Sequence, residues 1–257
     1  MPNKKYGGGI TQLSKPFYIS NGTFCWGAHA LKGVDEKTFK AYSNVWGADK
    51  NTVFTEWRPR KIDRATFEFL NPVYVKDKNG VYDYKGQIKD ADPVTFECLD
   101  SGFYSTEGDV TNSIWVKGYA RDVNNVFYHD QMLGSASRIS SADPKSFVSL
   151  GNNYGRDSNC VYYKKSKLQK ADSKKWFYLG HCYSTDQKRI YYMNRIIPDI
   201  DVERFCVVTL PTVGNFATDG QIYLNNDKQI TPEEFDISIN KSISRAKLIV
   251  DGLREGR

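Results

Sequence analysis

Asp and Asn gather at intervals in short polar runs such as KDKNGVYDYKG at 76–86, and clustered side-chain oxygens of this kind could hold a cation. A calcium loop needs six to eight oxygens in a longer run closed by a carboxylate. KDKNGVYDY sets a lysine beside its first Asp and supplies too few carboxylates, so the run reads as turn chemistry. His29, His129 and His181 lie outside any HExxH and away from paired cysteines, which argues against zinc. The adjacent His181-Cys182 suggests a thiol nucleophile, yet neighbours in a strand face opposite ways, so packing is the better reading. No GxSxG elbow, Walker loop or strand-linked GxGxxG occurs. The remaining carboxylates sit mostly at turn and cap positions. The expectation is a protein that is not an enzyme, with no catalytic residues, no cofactor and no metal site.

Cationic side chains offer a different chemistry, attraction to an acidic partner. Lys164, Lys165, Lys167, Lys170, Lys174 and Lys175 crowd KKSKLQKADSKKW, and Arg58, Arg60 and Lys61 hold the equivalent loop in EWRPRKIDRATF. Both groups follow the second strand of a hairpin, so stacked repeats could align them as one basic stripe. Solvated loops are the plainer reading of a lysine run. The interleaved aromatics recur at core-like positions, which ranks nucleic acid below a protein partner.

The elements that must position these residues form a repeat. An Asp followed four positions later by an aromatic occurs at Asp35/Phe39, Asp63/Phe67, Asp92/Phe96, Asp143/Phe147, Asp172/Trp176 and Asp201/Phe205, with Thr231/Phe235 as a variant. The steps are 28, 29, 51, 29, 29 and 30 residues. Asp or Thr before Pro, as in ADPVTFECL and TPEEFDISI, is an N-cap ahead of a favoured first helical residue, so each landmark predicts a short helix. A second landmark is a turn residue, Asn21, Asp49, Asp77, Asp122, Asp157, Asp186 or Asp219, each preceded by an aromatic three positions earlier. An aliphatic and then an aromatic usually follow, as in Val81/Tyr82, and aromatics flanking a turn can meet across a hairpin. One unit thus reads as strand, polar turn, strand, loop, short helix. The long step covers GFYSTEGDVTNSIWVKGYARD, read as a degenerate unit near 103–121 that kept its hairpin and lost its helix.

Asp49-Lys50-Asn51-Thr52-Val53-Phe54, Asp77-Lys78-Asn79-Gly80-Val81-Tyr82 and Asp157-Ser158-Asn159-Cys160-Val161-Tyr162-Tyr163 resemble the signature of bacterial DKNYY repeat proteins, and DADPVTF and SADPKSF resemble its downstream half. The resemblance covers roughly 17–237. It implies a bacterial repeat scaffold with no catalytic residues to carry over and, for some similar proteins, a role as immunity partners of antibacterial toxins.

With 257 residues the chain can bury a substantial core. An aromatic share of 14% at a mean hydropathy of -0.58 favours half-buried strands with polar outer faces. A formal charge of +6 suits solubility and acidic partners without choosing one. Five widely spaced cysteines without CxxC pairs fit a reducing compartment, and with no visible secretory signal or membrane-spanning run the expected location is cytoplasmic. The expected fold is a β-rich tandem repeat of the α+β class: about seven or eight β-hairpin units, each with a short helix, in an elongated curved body with a C-terminal capping helix. Residues 1–16 read as a flexible leader, 17–237 as the repeat array and 238–257 as the C-terminal helix and tail. The expected function is binding and neutralising a cognate toxin domain through an acidic contact surface. The alternative is a general repeat scaffold or recognition protein, with a nucleic-acid binder or cryptic enzyme ranked lower.

Overall fold

The computed structural model describes residues 17–20, 23–104, 115–130, 134–209 and 214–255, so the expected leader lies outside the described residues. The chain is β-rich, with short antiparallel sheets and, among the described residues, a single helix, α1 (Pro232–Glu255). The sheets fall in two compact units, one up to residue 140 and the other from 141 onward.

Most sheets are four-stranded meanders rather than bare hairpins. In one, Lys40–Ala41, Trp46–Ala48, Val53–Thr55 and Arg58–Arg60 pair in sequence order, and Val148–Gly151, Tyr154–Arg156, Val161–Tyr163 and Ser166–Lys167 repeat the arrangement. The central two strands carry the turn Asp between them. They are buried as continuous runs, Val53–Thr55 and Val161–Tyr163 on every residue, because both faces pack. The outer strands are two to four residues long and mostly exposed, so no alternation announces them.

The expected short helix in each unit is not what forms. Asp35, Asp63, Asp143 and Asp172 each open a single turn, closed by one bond from the N–H three residues on, and the chain then enters a strand. The cap is present, since Asp63 Oδ1 accepts the Thr66 N–H at 3.0 Å. Helix growth stops after that one turn because the next residues pair as a strand, as Lys40–Ala41 does with Trp46–Ala48, and the Asp N–H is donated to the carboxylate of the next turn. Asp49 Oδ2 accepts from Asp35 N at 2.7 Å, Asp77 from Asp63 at 2.6 Å, Asp157 from Asp143 at 3.0 Å and Asp186 from Asp172 at 3.2 Å, each across 14 residues. Oδ1 of the same aspartates accepts two N–H groups of its own turn, as at Asn79 and Gly80 for Asp77. The two sequence landmarks are the two halves of one clasp. Only at Thr231 does the cap lead into a helix. There Thr231 Oγ1 accepts from Glu234 N at 3.1 Å and Glu234 Oε2 accepts from Thr231 N at 2.9 Å, a capping box with no strand following it.

Near the long step, Asp100 bonds Gly102 N and Tyr119 N, as Asn71 bonds Val73 N and Tyr74 N at the equivalent loop. Phe103–Tyr104 and the start of Trp115–Arg121 pair there as a hairpin set into that loop, and the clasp from Asp92 to Asp122 opens to 30 residues. The strand Trp115–Arg121 then continues into the same sheet as Val126–Asp130.

The landmark aromatics bind one sheet to the next. Tyr154 Oη donates to Cys182 O at 2.8 Å, Tyr183 Oη to Asn215 O at 2.9 Å and Tyr74 Oη to Gly118 O at 2.9 Å. Burial lifts all three phenols well above their ordinary range, which keeps them as donors.

The clasps also set an acid limb. The Lys50 ammonium at 2.7 Å holds Asp35 below the usual carboxylate range, and Lys78 at 2.8 Å does the same for Asp63. Hydroxyls of Thr95 and Ser146 lower Asp92 and Asp143. A carboxyl depressed in the folded state contributes stability that is present above its unfolded pKa and lost as pH falls through its folded value. Denaturant melts are expected to show constant stability above about pH 5 and a decline starting near pH 4. An Asp35→Asn/Asp63→Asn variant should have a shallower limb, and an unchanged limb would contradict this origin.

Candidate functional site

The turn aspartates were the first candidates for chemistry, and the fold uses them up. Asp49, Asp77, Asp122, Asp157, Asp186 and Asp219 are all buried, and each carboxylate accepts three backbone N–H groups. Tyr82, Tyr162 and Tyr191 add a phenol donor to their own turn. Burial, with the adjacent Asp charge, pushes Tyr82 and Tyr191 up to about 12. At Asp186 burial works against the charge, but the N–H groups of Lys188, Asp172 and Arg189 outweigh it and hold the carboxyl below its ordinary range.

His181 and Cys182 are not strand neighbours. They form the two-residue loop between Gly180 and Tyr183, with φ of 45° and 69°, and Asn152-Asn153 takes the same place between Gly151 and Tyr154. The Cys182 backbone is held on both sides, its N–H by Tyr178 Oη at 3.2 Å and its carbonyl by Tyr154 Oη. A second polar group escaped sequence reasoning because its members are far apart along the chain. His129 Nδ1 lies 3.3 Å from Asp83 Oδ2 with both side chains 1% exposed, and Lys117 approaches the buried Asp130 at 3.7 Å. At that burial the group is closed to a substrate.

The basic residues are the ones left facing solvent, and the two groups differ. In the first unit Arg58 is committed. Its guanidinium bonds Glu56 at 2.8 Å and lies 3.8 Å over the Trp57 ring, while His29 stacks on that ring at 3.9 Å and 18°. Two groups this close to one ring must occupy opposite faces, so Trp57 is sandwiched. Arg60 is half-buried and Lys61 exposed. The stack draws on residues 28 positions apart, which no local motif signals.

In the second unit the lysines lie in Ser166–Lys167 and in the turns that flank it. Lys164 takes φ 55° in the turn before Ser166–Lys167, with its N–H on Asn153 O at 2.7 Å and its ammonium 5.8 Å over Tyr163. Lys165 follows it, exposed. Lys167 is held above the ordinary lysine range by the Cys160 sulfur beside it. Lys170 sits at φ 60°, its carbonyl fixed by Arg189 Nη1 at 2.9 Å. The backbone of Lys174 and Lys175 is tied to Asp172, through its carboxylate and its carbonyl respectively. Lys167, Lys170, Lys174 and Lys175 are exposed and make no ion pair with a described carboxylate. Lys50 and Lys78 in the first unit, by contrast, are each neutralised by an Asp. The sequence run located this charge; its lack of carboxylate partners needed the fold. Phe177, two residues beyond Lys175, is 45% exposed and adds an apolar point to the same stretch.

No curated protein and no solved structure matches the chain. The family model for the DKNYY family matches residues 58–192, more than half of the sequence, and that span contains the clasps at Asp77, Asp122, Asp157 and Asp186 together with the whole lysine cluster. The chain belongs to the DKNYY family.

Proposed function

We propose that this protein is a non-enzymatic binding protein, a cytoplasmic immunity protein that holds a cognate antibacterial toxin domain by an acidic face of that domain. The observation that carries the reading is the set of exposed lysines at 167, 170, 174 and 175, fixed in backbone yet without a carboxylate partner among the described residues, beside the exposed Phe177. Positive charge on a shaped surface speeds encounter with an acidic partner and selects it, while an exposed aromatic supplies an anchor. The succession of short antiparallel sheets supports the reading, since each turns outer strands and loops to solvent. The turn carboxylates, the most numerous candidates for acid–base chemistry, serve as backbone acceptors. Tyr163 and Trp176 are buried, which leaves Phe177 as the one large exposed aromatic described beside these lysines, an anchor rather than a run of stacking faces, and this favours protein over nucleic acid. Among the described residues no helix is long and apolar enough to cross a membrane.

The experiment is affinity capture from the native bacterium with tagged protein, compared with a variant carrying Lys167→Glu, Lys170→Glu, Lys174→Glu and Lys175→Glu. The parent is expected to retain one stoichiometric toxin-like polypeptide and to protect cells that express it. The variant, folded by circular dichroism, should bind that polypeptide at least about 100-fold more weakly, since four reversed charges face the acidic surface. Recovery of no such polypeptide, or undiminished protection by the variant, would sink the proposal.

A further inference from the structure

α1 leaves its own sheet early. Phe235 lies between Phe216 and Tyr223, at ring distances of 5.8 and 5.1 Å, and Ser242 is the other buried side chain described along the helix. On the opposite side Ile237 is 53% exposed and Leu248 73% exposed. At 100° per residue their separation of 11 residues places them on one line, three turns apart, with Lys241 and Ser244 between them. Single exposed aliphatics are ordinary, but two on one line, at equal distances from a common midpoint, give a face that can pair with itself.

We propose that this outer face is a self-association surface, on which a second copy of the chain lays its own α1 antiparallel. The charge distribution selects this occupant. Glu233, Glu234 and Asp236 crowd the start of the helix, whereas Lys241, Arg245 and Lys247 hold its middle, all exposed. A parallel copy would set acid against acid and base against base. An antiparallel copy, related by a twofold axis midway between Lys241 and Ser244, brings Ile237 of each chain over Leu248 of the other. The same axis places Asp236 of each within half a turn of the other's Lys247, on the same flank of the seam. Each of these pairs then occurs twice, against one like-charge approach, Lys241 of one copy to Lys241 of the other beside the axis. A toxin face acidic enough for the lysine cluster would meet like charge at Glu233, Glu234 and Asp236, so the two surfaces call for different occupants. With two aliphatic anchors per copy the contact belongs to the small, weak class and depends on salt.

Sedimentation velocity of the full chain from about 1 to 200 µM spans the range expected for a small contact of this kind. The parent should shift from monomer to dimer within it, several-fold more weakly at high salt. Ile237→Glu with Leu248→Glu should leave only monomer, with helix content by circular dichroism unchanged. Asp236→Lys should weaken association about tenfold, and adding Lys247→Glu should restore it. A parent that stays monomeric throughout, or a dimer indifferent to the Ile237/Leu248 variant, overturns self-association. If the parent dimerises but the charge-swapped pair fails to recover, the antiparallel arrangement is overturned.

Discussion

Replacing Asp157 by asparagine is expected to destabilise the second unit by about 3 kcal/mol, and replacing it by alanine by on the order of 4 kcal/mol. Oδ1 accepts Asn159 N at 2.8 Å and Cys160 N at 2.7 Å, and Oδ2 accepts Asp143 N and Tyr162 Oη, both at 3.0 Å. Every partner is a donor. An asparagine must present its NH2 to one of these two sets, donor against donor, and no flip of the amide removes the conflict. Alanine leaves three N–H groups without their acceptor at a residue only 4% exposed, while the Tyr162 phenol keeps Ser141 O at 2.7 Å. Thermal melts should show the transition of that unit lowered by roughly 10 °C. The exposed neighbour Asn159→Ala should change it by no more than about 0.5 kcal/mol. If Asp157→Asn melted like the parent while losing partner binding, the carboxylate would be functional, and its assignment to the clasp would be wrong.

That clasp shows where the sequence was legible. Both halves stood out as periodic landmarks, and the constant offset of 14 residues between Asp35 and Asp49, Asp63 and Asp77, Asp143 and Asp157, and Asp172 and Asp186 was available to be measured. Reading the landmarks separately gave the Asp-x-x-x-aromatic segment to a helix, since an N-cap followed by Pro is the local signature of one. The acceptor of the Asp N–H lies in the next turn, and its link to the cap is visible only when the two landmarks are paired. Outer strands such as Glu68–Phe69 and Ser166–Lys167 were illegible for another reason: at two residues, with little burial, they have no periodicity to read. The lysine cluster was legible as composition. Its distinction from Lys50 and Lys78 was not, because Asp35 and Asp63 reach those lysines from 15 residues away. Arg58 shows the converse, a candidate binding residue whose charge and flat face are taken by Glu56 and Trp57.

The second large effect is expected at Gly155, where valine should destabilise the protein by about 2–3 kcal/mol although it is the better strand residue. Gly155 lies in the second strand of its sheet, opposite Tyr162, and a Cβ there would stand 2.4 Å from Phe147 Cζ. Phe147 is the aromatic of its Asp-x-x-x-aromatic landmark and is fully buried, so the ring has nowhere to withdraw. Gly47 and Phe39 repeat the contact at 2.3 Å in the first unit. At Gly47 and Gly155 the aromatic landmark therefore acts as a lid on the strand two residues before the turn Asp, whereas Val75 holds the same position before Asp77, so the need for glycine is local to these two sheets. A removable ring gives the decisive comparison. Phe147→Ala alone should cost about 3–4 kcal/mol by leaving a cavity. In its background Gly155→Val should become neutral or stabilising, because the valine then fills space the ring vacated. A coupling of at least about 1.5 kcal/mol in chemical denaturation would establish the lid. Additive losses would mean that the glycine is required by the backbone instead, and that the aromatic and the turn are set independently within each sheet.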